Sequence, residues 1–257
     1  MRPSDNLCTA SLLALDPRTG AIEWHYQFTP NDPFDYDGTD ELVLAGLTVD
    51  GIERCVVMQA NRSGFLHVLD RETGELLAAN KLVDRVGWAI SINLGTGRPV
   101  ENPIAAARAG EQIEVWPSAL GGKNWLPMSF HPGLGLVFAN TLTIGMTYKA
   151  IEPAYWAGTI YFGVEFSWTA PEEGRGALRA MDPLTGKSRW SQPTDIPRWA
   201  AVLAKAPARA GDWSIARSRR ADGRLGTGCS SGPAGAHAQT YPNAGGKRTT
   251  TIAAQRA

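Results

Sequence analysis

Short stretches of alternating apolar and polar residues lead repeatedly into one turn motif. Leu12–Leu15 run into Asp16-Pro-Arg-Thr-Gly20, and the apolar stretch that follows the turn ends in Trp24. Alternation with a period of two predicts β-strands, and a tight turn between two such stretches predicts a β-hairpin. In this turn the Asp side chain accepts backbone N–H bonds, and Gly adopts the positive φ that lets the chain reverse.

The same hairpin recurs at intervals of roughly fifty residues. Its turns begin at Asp16, Asp70, His131 (a degraded copy) and Asp182, and a shorter turn of the same type is Asn93–Gly97. This spacing is typical of β-propeller blades, whose two faces must each be covered by a neighbouring blade. We therefore predict an all-β fold, a partial β-propeller formed by an arc of about four blades.

Composition agrees with a turn-rich β protein. Gly (28 residues) and Pro (17) make up about 18% of the 257 residues, alongside nine Trp, which favours β structure over a helix bundle. We expect Trp24 and Trp190, which follow two of the turns, to fill the gaps between blades. No stretch reaches the ~18 apolar residues of a transmembrane helix, and the N-terminal residues lack the apolar core of a signal peptide.

Charge divides the chain into two parts. The whole sequence is balanced, with 25 basic and 25 acidic residues, but residues 205–257 hold nine Lys and Arg against two Asp. That segment also has only three Ile, Leu or Val residues, too few to offset chain entropy by burial. We predict that residues 1–204 form the partial propeller and that residues 205–257 are a basic, low-complexity, disordered tail. Its charge is too thinly spread to predict a nucleic-acid partner.

The cysteines and histidines show no metal-binding pattern. Cys8, Cys55 and Cys229 are widely separated and form no Cys-x-x-Cys pair, and the four His are far apart. We expect isolated thiols, two of them packed in strands, and neither a zinc site nor a disulfide framework.

An acidic segment is the first candidate for chemistry. Residues 29–41 contain five carboxylates together with Phe, Tyr and two Pro. Asp35 and Asp37 are two positions apart, so in extended backbone they face the same side. Two such carboxylates in a Pro-stiffened loop suit a hard cation bound through oxygen. The alternative is an Asp-rich turn with no ligand.

Two further segments carry candidate binding groups. Arg62 stands at a strand start, where propeller sites gather, although a surface Arg in a loop is the alternative. In Gly121–Ser129 the two glycines allow the backbone to approach a ligand. There Asn124 offers an amide, and Trp125 a flat surface on which a planar ring can stack. The alternative for this segment is a Gly-Gly turn with a Trp buried between blades.

Taken together, these segments resemble the pyrroloquinoline quinone (PQQ)-dependent alcohol dehydrogenases, which include methanol and ethanol dehydrogenases. The resemblance is carried in consistent order by the repeats, Thr29–Gly38, Asn61–Phe65 and Gly121–Ser129, and it covers about residues 2–204. It implies a quinoprotein propeller of eight four-stranded blades, of which this chain has an arc, with PQQ on the axis above a metal ion. It also implies a periplasmic parent enzyme and a cytochrome-type electron acceptor.

The resemblance assigns roles residue by residue. Asp35 matches the base that takes the hydroxyl proton of a primary alcohol as hydride passes to PQQ, and it also binds the metal. Arg62 matches the arginine that hydrogen-bonds the quinone oxygens, and Asn124 and Trp125 match residues near the cofactor. Asp37 matches a second metal-binding Asp of lanthanide-type members, so we expect a lanthanide in preference to calcium.

The sequence also departs from the family. The family's other metal ligands, a Glu and an Asn, its adjacent-cysteine disulfide and its signal peptide have no counterpart here, and the tail has the composition of GC-rich DNA read out of frame. We therefore expect a truncated or frameshifted product that is inactive in isolation. The alternative reading is a non-enzymatic propeller scaffold that binds proteins, which would not need Asp35, Arg62 and Asn124 in one ordered set.

Overall fold

A computed structural model describes residues 4–103, 111–159, 163–170 and 173–204, together with the backbone of 240–242 and 248–250. Within these ranges the regular elements are seventeen β-strands, and no α-helix is present. The strands are β1 (Ser11–Leu15), β2 (Ile22–Gln27), β3 (Val43–Val49), β4 (Ile52–Ala60), β5 (Phe65–Asp70), β6 (Leu76–Lys81), β7 (Ala89–Ile92), β8 (Pro99–Glu101), β9 (Gln112–Val115), β10 (Ser129–His131), β11 (Leu136–Thr143), β12 (Met146–Ala150), β13 (Val164–Trp168), β14 (Arg175–Met181), β15 (Ser188–Thr194), β16 (Thr240–Pro242) and β17 (Arg248–Thr250).

The strands pair into antiparallel sheets of two to four strands. Two sheets are four-stranded, β3-β4-β5-β6 and β10-β11-β14-β15, and one is three-stranded, β13-β12-β9. The pairs β1–β2, β7–β8 and β16–β17 are two-stranded. The predicted all-β partial propeller is confirmed, and within the described ranges the sheets do not close into a ring.

The repeated turn has one structure wherever its motif is intact. In the turns at Asp16, Asp70 and Asp182, Oδ1 accepts the backbone N–H groups two and three residues further on, at 2.7–3.2 Å. The glycine at the fifth position has a φ of 70–75°. Asn93 caps its own turn in the same way, with Oδ1 accepting the N–H of Thr96 at 3.0 Å. The local motif therefore determines each hairpin, as predicted.

The degraded copy at His131 is not a separate unit. Its turn closes with the N–H of Gly135 donating to the His131 carbonyl at 2.9 Å, but it joins β10 to β11. These strands lie in the same sheet as β14 and β15, which are joined by the turn at Asp182. Counting turns along the sequence therefore assigned two units to one sheet, because both hairpins of that sheet reverse at a glycine.

The sheet β3–β6 is covered on both faces. Every residue of β5 is buried. On one face its side chains pack with residues of the β10–β15 sheet and the loop before it, among them Met128, Val137 and Met181. On the other face they pack with residues of β2, the acidic segment and the loop before β7, among them Phe28, Tyr36 and Trp88. Two-sided burial is the stacking that the propeller prediction requires.

One of the two tryptophans predicted to lie between units, Trp24, does so. Trp24 donates Nε1–H to the Arg71 carbonyl at 3.2 Å, and a Cβ on Gly74 would come within 2.7 Å of its ring. It thus packs on the turn of the next sheet, as expected. The ring of Trp190 lies 5.9 Å from that of Phe138 in its own sheet, and its side chain is 37% exposed. Its place between two units stays a prediction.

Two sequence predictions about the thiols and the tail have different outcomes. Cys8 precedes β1 and Cys55 lies in β4, but both are exposed, so packing of either thiol in the core was a wrong expectation. Cys229 and nearly all of the tail at 205–257 lie outside the described residues. In the ranges described, no helix has the length and apolar character needed to cross a bilayer.

His67 is fully buried in the core of β3–β6. Its ring lies among those of Phe28, Tyr26 and Phe65, at 4.9, 5.7 and 6.1 Å between centroids. Neither ring nitrogen has a hydrogen-bond partner within the described ranges. Burial lowers the pKa of His67 to about 3, because the apolar surroundings disfavour the charged imidazolium.

His67 should make stability depend on pH. The unfolded chain binds a proton near pH 6.5, whereas the folded chain does so only near pH 3, so stability falls as the pH drops through this window. Between pH 7 and pH 5 the loss should be about 2 kcal/mol. His67→Phe should remove it, as measured from urea unfolding at both pH values. The exposed variant His25→Gln is the control, and an equal loss in His67→Phe and wild type would contradict the prediction.

Candidate functional site

The acidic segment curls around one carboxylate. Asp32 Oδ1 accepts the N–H of Phe34 at 2.9 Å, and Oδ2 accepts those of Tyr36 at 2.7 Å and Asp37 at 3.0 Å. Burial raises the pKa of Asp32 to about 6, although the three amide donors act in the opposite direction. Sequence reasoning counted Asp32 among the five carboxylates but assigned it no role.

The curled backbone places Asp35 and Asp37 on the outside of the loop. Both residues have a positive φ, 63° and 54°, which Asp tolerates better than most residues. Between them the buried Tyr36 donates its hydroxyl to the Pro117 carbonyl at 2.6 Å and anchors the loop. The two aspartates therefore face a cavity of about 290 Å³, whose other lining residues are Asn6, Thr9, Ala10, Asn31 and Asp32.

Arg62 contacts both aspartates predicted to bind the cation. Its Nη1 donates to the Asp35 carbonyl at 3.2 Å and to Asp37 Oδ2 at 3.3 Å. The side chain is only 11% exposed, and its buried Nε has no hydrogen-bond partner among the described residues. Three of the five residues predicted for the site thus lie together, with the guanidinium held beside both aspartates.

The charges at this site leave an excess of negative charge. The pKa of Asp35 is raised by burial and by the neighbouring charge of Asp37, and Arg62 partly offsets both effects. Two carboxylates beside one guanidinium, facing a cavity lined by further oxygen donors, fit a hard cation. In the described part of the chain there is no group of three or more His, Cys, Asp or Glu that could hold a metal, so Asp35 and Asp37 supply only part of a coordination shell.

A buried lysine links the acidic segment to the second candidate loop. Lys123 is 1% exposed, and its Nζ donates to Glu41 Oε2 at 2.7 Å and to the Asn124 carbonyl at 2.9 Å. The same Nζ lies 3.6 Å from Asp40 Oδ1. The other oxygen of Asp40 accepts the backbone N–H of Arg62 at 3.2 Å. We call Asp40, Glu41 and Lys123 the lysine cluster.

The lysine cluster was missed by the sequence analysis. A lysine set in an otherwise apolar and glycine-rich segment, with acidic residues in excess elsewhere, is the signal that would have suggested it. A lysine is rarely buried without carboxylate partners. Its position between two loops could be read only from the tertiary structure.

The two glycines before Lys123 allow the backbone of another segment to pack closely against them. Gly121 has a φ of 83°, and a Cβ there would lie 2.6 Å from the Arg62 Cα. The N–H of Gly122 donates to the Arg62 carbonyl at 2.8 Å, and a Cβ at Gly122 would lie 2.9 Å from the Gly64 Cα. Glycine therefore permits a close approach to the turn that carries Arg62, whereas the sequence suggested an approach to a ligand. Arg62 lies between β4 and β5, so its predicted place at a strand start was wrong.

Asn124 and Trp125 lie in the same loop but in different environments. Asn124 is buried, its Nδ2 donates to the Leu120 carbonyl at 2.8 Å, and its Oδ1 accepts the Trp125 N–H at 2.9 Å. Its amide therefore shapes the loop. Trp125 is 61% exposed, which rules out the alternative of a Trp buried between blades. Their contact with a cofactor stays a prediction.

Known proteins similar to this chain are quinoprotein dehydrogenases. The family described as glucose/ethanol/alcohol dehydrogenase, beta-propeller domain (PQQ), matches residues 1–81. A quinoprotein ethanol dehydrogenase of Pseudomonas putida is 41% identical over 209 residues, which are 78% of this chain and 34% of that protein. A lanthanide-dependent methanol dehydrogenase of Methylorubrum extorquens is 36% identical over 217 residues, 80% of this chain and 36% of that protein.

Solved structures of quinoprotein dehydrogenases are also similar. A europium-containing methanol dehydrogenase matches with a TM-score of 0.70 and 35% identity, over 76% of this chain and 34% of that chain. A quinohemoprotein alcohol dehydrogenase of Pseudomonas putida HK5 matches with a TM-score of 0.73 and 32% identity, over 81% and 32% of the two chains. Over these stretches the chain resembles quinoprotein alcohol dehydrogenases, and it spans about a third of the length of the curated relatives it matches.

Removing the buried lysine should destabilise the fold in a pH-dependent way. Lys123→Met leaves Asp40 and Glu41 buried without their cation, which should cost about 3 kcal/mol of unfolding free energy at pH 8. Burial already raises the pKa of both carboxyls, and loss of the lysine raises them further. Each then takes up a proton as the pH falls, so the deficit should shrink toward pH 5.

Two variants control this measurement by urea unfolding. Lys149→Met removes an exposed ion pair with Glu165 and should cost below about 1 kcal/mol. Adding Glu41→Gln to Lys123→Met should recover part of the loss, because the amide oxygen can still accept the N–H that Met128 now donates to Glu41. A loss of unfolding free energy in Lys123→Met that is small, or equal at both pH values, would show that Lys123 does not compensate the charges of Asp40 and Glu41.

Proposed function

We propose that this chain contributes the acidic loop and the quinone-facing arginine of a PQQ-dependent alcohol dehydrogenase that oxidises a primary alcohol. The observation that carries the proposal is the contact of the Arg62 guanidinium with both the Asp35 carbonyl and the Asp37 carboxylate. A protein-binding scaffold has no need of this contact at the edge of an oxygen-lined cavity. The many alcohol dehydrogenases among the relatives support the enzyme reading.

Asp35 is the base in this proposal. Its carboxylate faces the cavity, and its raised pKa makes it a stronger proton acceptor than a fully solvated Asp while the neighbouring Arg62 favours its ionised form. It would accept the hydroxyl proton of the alcohol. Bound PQQ would supply the hydride acceptor, and a bound cation would make that acceptor more electrophilic.

Arg62 is the group that holds the quinone oxygens. Its Nη1 donates to the Asp35 carbonyl and to Asp37, which places the guanidinium beside two residues that line the cavity. A guanidinium fixed in advance by Asp37 stabilises negative charge on a quinone oxygen without reorganisation. Asn124 and the exposed Trp125 lie in the loop that packs on Arg62, and we assign them to the cofactor's surroundings.

Asp35 and Asp37 would bind the cation. A second carboxylate raises affinity more for a trivalent than for a divalent ion, because the attraction scales with the cation's charge. We therefore propose a lanthanide, with calcium as the alternative. Relatives described as lanthanide-dependent and a europium-containing structure support this choice. On the resemblance alone we add a periplasmic location and a cytochrome-type electron acceptor.

Asp37 should distinguish the two cations. Asp37→Ala should raise the Kd for europium(III) by roughly tenfold or more, about 1.4 kcal/mol, and the Kd for calcium by less. Europium luminescence gives the first constant, and competition by calcium gives the second. Glu72→Ala, an exposed carboxylate in a distant turn, is the control. Equal effects on both ions would remove the argument for a lanthanide, and no binding by the wild type would refute the cation site.

The isolated chain should be inactive. Among the described residues only two carboxylates are placed for the cation, and an arc leaves the cofactor open to solvent. We expect no dye-linked oxidation of methanol or ethanol when PQQ and either europium or calcium are added to the purified chain. Turnover above that of an Asp35→Ala variant would contradict the expected inactivity, and it would support the assignment of Asp35 as the base.

A further inference from the structure

Asp32 lies at the centre of the loop that carries both proposed cation ligands. Its carboxylate is the acceptor for three backbone N–H groups, those of Phe34, Tyr36 and Asp37. Two of these, at 2.7 and 3.0 Å, converge on the same oxygen, Oδ2. An ionised carboxylate accepts such bonds more strongly than a neutral group does.

The hydrogen bonds determine a backbone path that would otherwise be unfavourable. Asp35 and Asp37 both have left-handed φ values, which for non-glycine residues cost of order 1 kcal/mol each. The bonds to Tyr36 and Asp37 hold the chain in this path from inside the curl. On the opposite side, the buried hydroxyl of Tyr36 is fixed to Pro117, so the loop is held at two points.

Asp32 is poorly suited to be a ligand itself. Both acceptor directions of Oδ2 are taken by amides, and Oδ1 already accepts the N–H of Phe34. The carboxylates of Asp35 and Asp37 accept no backbone amide of this loop in the described structure. Asp32 therefore organises the loop, whereas the carboxylates of Asp35 and Asp37 are left unoccupied by the loop amides, with Asp37 Oδ2 accepting only the Arg62 Nη1–H among the described contacts.

We infer that Asp32 is a positioning residue that holds the Asp35 and Asp37 carboxylates at the separation a cation requires. The inference rests on the proposed function, because it concerns the same cation site. It assigns Asp32 an effect on cation binding that is exerted only through the loop backbone. Coordination by Asp32 itself is the competing explanation.

Europium(III) alone is the probe that separates these roles. Luminescence lifetimes in H₂O and D₂O give the number of water molecules on the bound ion. This number rises when a protein ligand leaves the ion, and it would not change if Asp32 only stabilised the fold. Asp32→Ala removes all three acceptors and should raise the Kd at least tenfold, with about one more bound water, because one aspartate no longer reaches the ion. Asp32→Asn retains one acceptor oxygen for Tyr36 and Asp37 and should recover most of the affinity and the wild-type hydration number.

Asp16→Ala is the matched control. Asp16 is also a carboxylate that accepts two backbone amides in a turn, but it lies in the β1–β2 hairpin, so its loss should change neither the Kd nor the hydration number. Wild-type values in Asp32→Ala would overturn the inference. Direct coordination by Asp32 predicts a different result. The hydration number would then rise by the same amount in Asp32→Asn as in Asp32→Ala, while the loop amides stayed protected from hydrogen exchange, and this result would overturn the inference.

A second measurement decides the inference if the wild-type chain binds no europium, a result that would refute the proposed cation site. Amide hydrogen exchange of Phe34, Tyr36 and Asp37 reports the loop directly. Exchange at these amides should accelerate at least tenfold in Asp32→Ala and stay unchanged in Asp16→Ala. Unchanged protection in Asp32→Ala would show that Asp32 does not hold the loop.

Discussion

The structure depends on the sheet β3–β6, whose two faces are both apolar and must both be covered. Its neighbours supply that cover, and two segments of the candidate site, the acidic loop and the turn with Arg62, are attached to its strands. The acidic loop leads into β3, and Arg62 lies in the turn between β4 and β5. Because these loops emerge from a sheet that is packed on each side, their starting points are fixed before any ligand is present.

Turns add polar and aromatic contacts to the apolar packing between sheets. Tyr26 donates its hydroxyl to the Gly97 carbonyl at 2.9 Å, and Asn80 donates to the Pro183 carbonyl at 3.0 Å. Trp24 lies on the turn at Gly74 in the same manner. In each case an edge strand places a polar or aromatic side chain on a turn of another sheet.

The lysine cluster connects this scaffold to the site. It joins the segment before β3 to the loop before β10, and through Asp40 it also reaches the backbone of Arg62. A buried lysine with two carboxylates adds little net stability over an apolar core, but it strongly penalises arrangements that separate the three groups. The position of the guanidinium relative to Asp35 and Asp37 is thereby tied to the packing of two sheets.

Sequence alone determined what is local in this protein. The Asp-x-x-Thr-Gly turns were predictable because the cap, the glycine and both strands lie within 20 residues. Asp35 and Asp37 were predicted to face the same side because extended backbone was assumed, whereas both have a left-handed φ and line one cavity through the curl around Asp32. Tertiary structure decided the rest. The sheet to which His131 belongs, the partners of Lys123, the amides held by Asp32 and the exposure of Cys55 and Trp125 all depend on which distant strands pair, and no local pattern encodes that pairing.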